Sequence, residues 1–144
     1  MLKTVPPALT PDLLWVLAAM GHGDRLALVN GNYPAYSRHE RVTELPGVSL
    51  VEAAKAILQL MPVDDLNEAP AYRMVPEGKP DEVLEVHRDL QQVLDAAESR
   101  SVSMKALERA AFFELAATSF AVVLTTDNRP YGCFVIAKGV VRTA

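Results

Sequence analysis

The tetrapeptide Gly21-His22-Gly23-Asp24 holds the first residues suited to acid–base work. Histidine is the side chain whose ordinary charge change falls near neutral pH, as proton transfer requires. The flanking glycines put it on sharply turned or mobile backbone. Asp24 could hold the imidazole in one tautomer or accept a substrate hydroxyl. An ordinary surface loop, with His22 bonded to backbone and Asp24 solvated, fits the same four residues.

A second group follows the apolar run Leu26–Val29, where Asn30, Asn32 and Tyr33 switch the chain from apolar to polar. Amides that read hydroxyls beside an aromatic face are what a sugar site needs. A plain Asn-Gly turn is the competing reading. Late in the chain, Tyr131-Gly132-Cys133 sits where a turn enters the last apolar run, so the phenol could point toward a pocket. Arg109, beside Glu108, is either half of a surface pair or a polar anchor.

His39 lies in a charged loop, and His87 stands among Glu85, Arg88 and Asp89. Both read as solvated. The three histidines share no i,i+4 spacing and Cys133 is the single cysteine, so no metal is expected. There is no phosphate-cradling G-x-x-x-x-G-K-[ST] and no G-x-G-x-x-G after a strand. Ser37 and Ser119 lack a nucleophile-elbow context. Nucleotide chemistry and serine hydrolysis lose their support.

The elements that must position these residues alternate. Thr10-Pro11-Asp12 starts a helix carrying Leu13, Val16, Leu17 and Met20 on one face, and Gly21 and Gly23 stop it. Ser49 with Glu52 caps a helix of Val51, Ala54, Ile57 and Leu58. Pro80 opens a third helix with Val83, Val86, Leu90 and Leu94. A fourth is predicted over 104–117, carrying Leu107, Ala111 and Leu115. Strands are predicted at 25–30, 41–45, 71–75, 120–125 and 133–138, and an irregular acidic connection from Pro62 to Pro70. This alternation predicts one α/β domain over 1–144 with a central, mostly parallel sheet flanked by helices.

Composition sets the outer bounds. In 144 residues, 50% are apolar and 22% charged, which suits a globular domain. Fourteen basic and 18 acidic side chains give a net charge of -4 with no basic block, so no nucleic-acid partner is expected. No apolar run approaches the roughly 20 residues that span a bilayer. A lone cysteine and the lack of a signal-like start predict a cytoplasmic protein with no membrane partner.

Several ordered segments together resemble the ribose pyranase / fucose mutarotase family. Met1-Leu2-Lys3-Thr4, Leu13-Leu14, Met20-Gly21-His22-Gly23-Asp24 and Asn32-Tyr33-Pro34-Ala35 are similar to its N-terminal third. Glu108-Arg109-Ala110-Ala111-Phe112-Phe113, Phe120-Ala121-Val122-Val123, Tyr131-Gly132 and Lys138-Gly139-Val140-Val141 are similar to its C-terminal third. The arginine followed by aromatics resembles the fucose branch; the ribose branch usually has histidine where Arg109 stands.

The resemblance implies a catalytic histidine at His22 and sugar contacts from Asn30, Arg109 and the Tyr131-Gly132-Cys133 segment. It implies no cofactor, and a ring-shaped homo-oligomer, often a decamer, whose sites are completed by a neighbouring subunit. Two positions depart from the family, which usually has aspartate at Asn30 and asparagine at Cys133. Asn30 keeps an acceptor without the charge, and Cys133 keeps only weak hydrogen bonding. The expected chemistry is mutarotation. His22 moves protons, Asp24 orients it, Tyr131 binds a hydroxyl or relays a proton, and Arg109 holds sugar oxygens. A sugar-binding or regulatory protein that keeps the pocket without turnover is the rival expectation.

Overall fold

Successive residues of a strand point to opposite faces, so a strand apolar at every position needs cover on both sides. After its first residue, strand β1 (Arg25–Val29) is such a segment: Leu26 and Leu28 join one apolar cluster, Ala27 and Val29 another. The computed structural model describes residues 1–143. Among these, the first cluster is filled by α1 (Pro11–Ala19), α3 (Leu50–Leu58) and α4 (Glu85–Glu98). The second is filled by α2 (Ala35–Arg38) and α5 (Arg109–Ala116). The result is a sheet between two helical layers.

The other strands are β2 (Val42–Leu45), β3 (Ala71–Val75), β4 (Met104–Glu108), β5 (Ala121–Thr125) and β6 (Cys133–Ala137). Their order across the single sheet of the described residues is β2-β5-β1-β6-β3-β4. All pairings are parallel except the two made by β6, which runs antiparallel between β1 and β3. The mostly parallel α/β expectation holds, and the runs at 120–125 and 133–138 lie in one sheet with β1 between them.

Local chemistry explains the helix starts. Thr10 Oγ1 accepts from the Leu13 N–H, and Ser49 Oγ accepts from the Glu52 N–H. Two expectations need correction. The predicted 104–117 helix is a strand followed by a helix: 104–108 pairs with β3 in register Ala71↔Met104 to Val75↔Glu108. It is an edge strand with Lys105 and Glu108 exposed, so it lacks the continuous apolar run of the central strands. The helix expected from Pro80 starts at Glu85, because residues 79–82 form a turn and the Leu84 N–H is taken by His87 Nδ1.

Candidate active site

The register of β6 decides where the site residues lie. Val29 pairs with Cys133 and Arg25 pairs with Ala137. The end of β6 that carries Tyr131, Gly132 and Cys133 therefore abuts the exit of β1 at Asn30. The other end, Lys138, abuts the entry of β1 at Asp24. Because β3 and β4 run parallel to β1, Met74 and Arg109 reach the same end as Asn30. Carboxyl ends of parallel strands are where open α/β sheets bind ligands.

A cavity of about 370 Å³ opens there, lined by residues that include Asn30, Arg109, Phe113, Asn128, Tyr131 and Cys133. Phe113 forms an aromatic wall beside Tyr33, with ring centroids 5.4 Å apart. The guanidiniums of Arg38 and Arg109 lie 4.0 and 4.6 Å from its centroid. Such stacking fixes a flexible cation at little cost, and Arg109 keeps its donor fork at the mouth. Gly132 lies behind the wall. A Cβ there would stand 2.5 Å from the Leu50 methyl Cδ1 and 3.1 Å from the Arg129 carbonyl. Gly132 thus faces Leu50 of α3 and Val86 of α4, while Tyr131 and Cys133 face the opposite, cavity side of the sheet.

Asn30 is 6% exposed, and both ends of its amide are engaged. Nδ2 donates to the Arg129 carbonyl at 3.0 Å, and Oδ1 accepts from the Asn32 N–H at 3.2 Å. It ties the two loops of the cavity together, and an aspartate would set a carboxylate against that carbonyl. Burial pushes the Cys133 thiol up to about 12, and burial pushes the neighbouring Tyr33 phenol up to about 12 as well. No carboxylate or histidine is among the lining side chains, so the cavity holds donors and an aromatic face but no base suited to neutral pH.

His22 and Asp24 lie at the opposite end of β1. Five strand residues at roughly 3.3 Å each separate that end from Asn30, so one chain does not bring them together with the cavity. The turn is well held. Gly23 N–H donates to the Lys138 carbonyl, Lys138 N–H donates to the Asp24 carbonyl, and Lys138 Nζ donates to the carbonyls of Leu17 and Met20. Gly23 has φ +86°, a conformation that suits glycine.

The carboxylate on His22 belongs to Asp64. Asp24 Oδ2 instead accepts from the Gly21 N–H at 2.8 Å and closes its own turn. His22 Nε2 stands 3.2 Å from Asp64 Oδ1. Asp64 is fully buried, yet its carboxyl is held below the usual range. Burial pushes it up, but hydrogen bonds from the Leu66 N–H, Asn67 and His22 outweigh that. A carboxylate only accepts, so Nε2 carries the proton and Nδ1 keeps the free lone pair. The His22 side chain is 42% exposed, so that lone pair belongs to a reachable ring. Asp64 is fixed by Gly139, whose N–H donates to the Pro62 carbonyl, and by its own N–H on the Ala137 carbonyl.

Sequence reasoning passed over three residues here. Asp64 sat in a stretch read as an irregular acidic connection; the Asp-x-x-Asn pattern of Asp64 and Asn67 is the local signal it offered. His87 was read as solvated and is 1% exposed. His39, also read as solvated, shares a 2.8 Å hydrogen bond with the Tyr33 hydroxyl. No helix among the described residues is long and apolar enough to cross a membrane.

Known proteins of similar sequence and shape place the chain in a family. An L-fucose mutarotase of Histophilus somni (strain 2336) is 35% identical over 140 residues, covering 97% of each chain. A fucose mutarotase of Danio rerio is 39% identical over 148 residues, covering 97% of this chain and 94% of its own. The crystal structure of the fucose mutarotase from Streptococcus pneumoniae in complex with L-fucose has a TM-score of 0.89 and 31% identity, covering 98% of this chain and all of that one. Residues 3–141 match the RbsD / FucU transport protein family as a whole, and the chain belongs to that family.

Proposed function

We propose that this protein is an isomerase that interconverts cyclic forms of a free, fucose-like monosaccharide by acid–base ring opening. One observation carries the reading. The cavity has sugar-reading groups without a base, while the His22–Asp64 pair lies at the opposite end of β1 and is not among its lining residues. Two copies of the chain, packed with the His22 end of one against the cavity of the next, supply both. Leu66, Val140 and Val141 near the His22 end are 65, 40 and 74% exposed, an apolar rim that a second copy would cover. The working form is then a homo-oligomeric ring, and the family resemblance favours a decamer in the cytoplasm.

The chemistry needs no cofactor. His22 Nδ1 takes the proton of the anomeric hydroxyl, Asp64 stabilises the imidazolium that forms, and the Tyr131 hydroxyl gives a proton to the ring oxygen as its bond to the anomeric carbon breaks. The open-chain aldehyde rotates about its first carbon–carbon bond. Reclosure on the other face returns both protons. Arg109 holds hydroxyl oxygens, and Phe113 covers the C–H face. Binding without turnover is the second reading, favoured by Asn30 and Cys133, since neither brings charge to the sugar.

Proton NMR on a panel of free sugars, L-fucose first, separates the two readings. Anomer exchange broadens or transfers saturation between the anomeric lines, whereas binding alone attenuates the sugar signals. Exchange is expected for at least one sugar, with His22→Ala slowing it about 10²–10⁴-fold. Saturation transfer from protein to sugar with no anomer exchange would leave the binding protein.

A further inference from the structure

His87 lies on the first turn of α4, behind the cavity wall. Its ring is closed in, with Phe134 set edge-on at 5.8 Å. Both nitrogens are used. The Leu84 N–H donates to Nδ1 at 3.1 Å, which leaves the ring proton on Nε2, and Nε2 donates to the Tyr131 carbonyl at 2.9 Å. Tyr131 has φ +58°, a left-handed conformation that bulky side chains adopt only when their surroundings hold it. The rest of the turn is held at a distance from that carbonyl. Asn30 holds Arg129 by its carbonyl, and the Arg129 guanidinium pairs with Asp127 and with Asp89 of α4. A side chain in place of Gly132 would crowd Leu50 and Val86.

We propose that His87 is a positioning residue for Tyr131, its Nε2–H bond to the Tyr131 carbonyl holding the left-handed turn that keeps the phenol at the cavity. The inference rests on the reading of Tyr131 as a proton-transfer group. Without that bond the Tyr131 carbonyl is free, and rotation about both φ and ψ of Tyr131 would return its backbone to ordinary geometry and carry the phenol away from the sugar. Proton transfer needs its groups placed within hydrogen-bond reach, so this loss falls on the chemical step more than on binding.

Two amide substitutions divide the ring's two bonds. In His87→Gln the amide nitrogen takes the place of Nε2 and keeps a donor for Tyr131. In His87→Asn the amide takes the place of Nδ1 and keeps only the Leu84 contact. With a sugar the wild type turns over, His87→Asn should lower kcat about 10-fold with KM nearly unchanged, and His87→Gln should recover most of it. In a Tyr131→Phe background, His87→Asn should add no further loss. Equal kcat in the Asn and Gln variants would overturn the proposal, with Tyr131→Phe still slow. Full turnover by Tyr131→Phe would instead overturn the reading of Tyr131, and this inference with it. Should the His87 variants fail to fold, 15N NMR of the histidine rings in the wild type decides, with His22→Ala and His39→Gln assigning the other two signals. A neutral Nε2–H tautomer is required, and an Nδ1–H tautomer contradicts the proposal.

Discussion

At the scale of single residues, the carboxylate that meets His22 is Asp64 rather than Asp24. A buried carboxylate kept ionised by three donors is a fixed negative charge, and it favours the imidazolium that forms as a proton is taken. Asp64→Asn keeps the shape and removes the charge. It should lower kcat roughly 10–100-fold, as loss of an orienting partner does, with KM little changed. Unaltered kcat would return the orienting role to Asp24. His87 makes a separate prediction about stability. Burial pushes its pKa below the ordinary 6.5; the Tyr131 carbonyl pulls it up, and Arg73 of β3 and Arg88 of α4 push it down. Since the folded value lies below the unfolded one, the unfolded chain binds more protons as pH falls. Stability is therefore full above about pH 6.5 and declines as the pH falls toward the folded value. A melting series from about pH 7.5 to 5 should show this decline, and His87→Gln should flatten it in part. Part remains because burial also lowers the pKa of His39.

Elements, rather than residues, carry the precision of the site. The end of β6 holds the His22 turn through Lys138 and the Asp64 loop through Gly139, so two halves of one dyad share one anchor. A Cβ on Gly139 would stand 2.6 Å from the Val63 carbonyl oxygen and 2.9 Å from the Asp64 nitrogen. Backbone cannot yield as a side chain can, so Gly139→Ala should cost about 1–3 kcal/mol by overpacking. It should also lower kcat by moving Asp64 away from His22. Chemical denaturation and turnover together check this, and an unperturbed variant would show that the loop is not anchored there. The central strands were legible because Leu26–Val29, Ala121–Leu124 and Cys133–Ala137 are unbroken apolar runs. The edge strand β4 was not, because Met104, Ala106 and Leu107 fit helical and extended spacing equally well. The solvated expectation for His87 fails for a related reason: its neighbours Glu85 and Arg88 are exposed while it turns inward.

For the whole molecule, the candidate site was legible as a set of residue types but not as a place. Asn30, Arg109, Tyr131 and Cys133 line one cavity because β6 runs against its neighbours, a pairing that no local pattern encodes. His22 belongs to the other end of the same strand, and its partner Asp64 is brought to it by contacts between residues 42 positions apart. In the proposed head-to-tail ring, each site would take its base from one copy and its cavity from the next. Subunit mixing tests this most directly. His22→Ala and Tyr131→Phe should each be nearly inactive alone, because every site lacks one group. Oligomers reassembled from equal amounts of both place an intact His22 beside an intact Tyr131 in about one quarter of sites. The mixture should therefore recover about one quarter of wild-type anomer exchange. A mixture that is verified to have exchanged subunits and stays as inactive as its components would contradict a site shared between two chains.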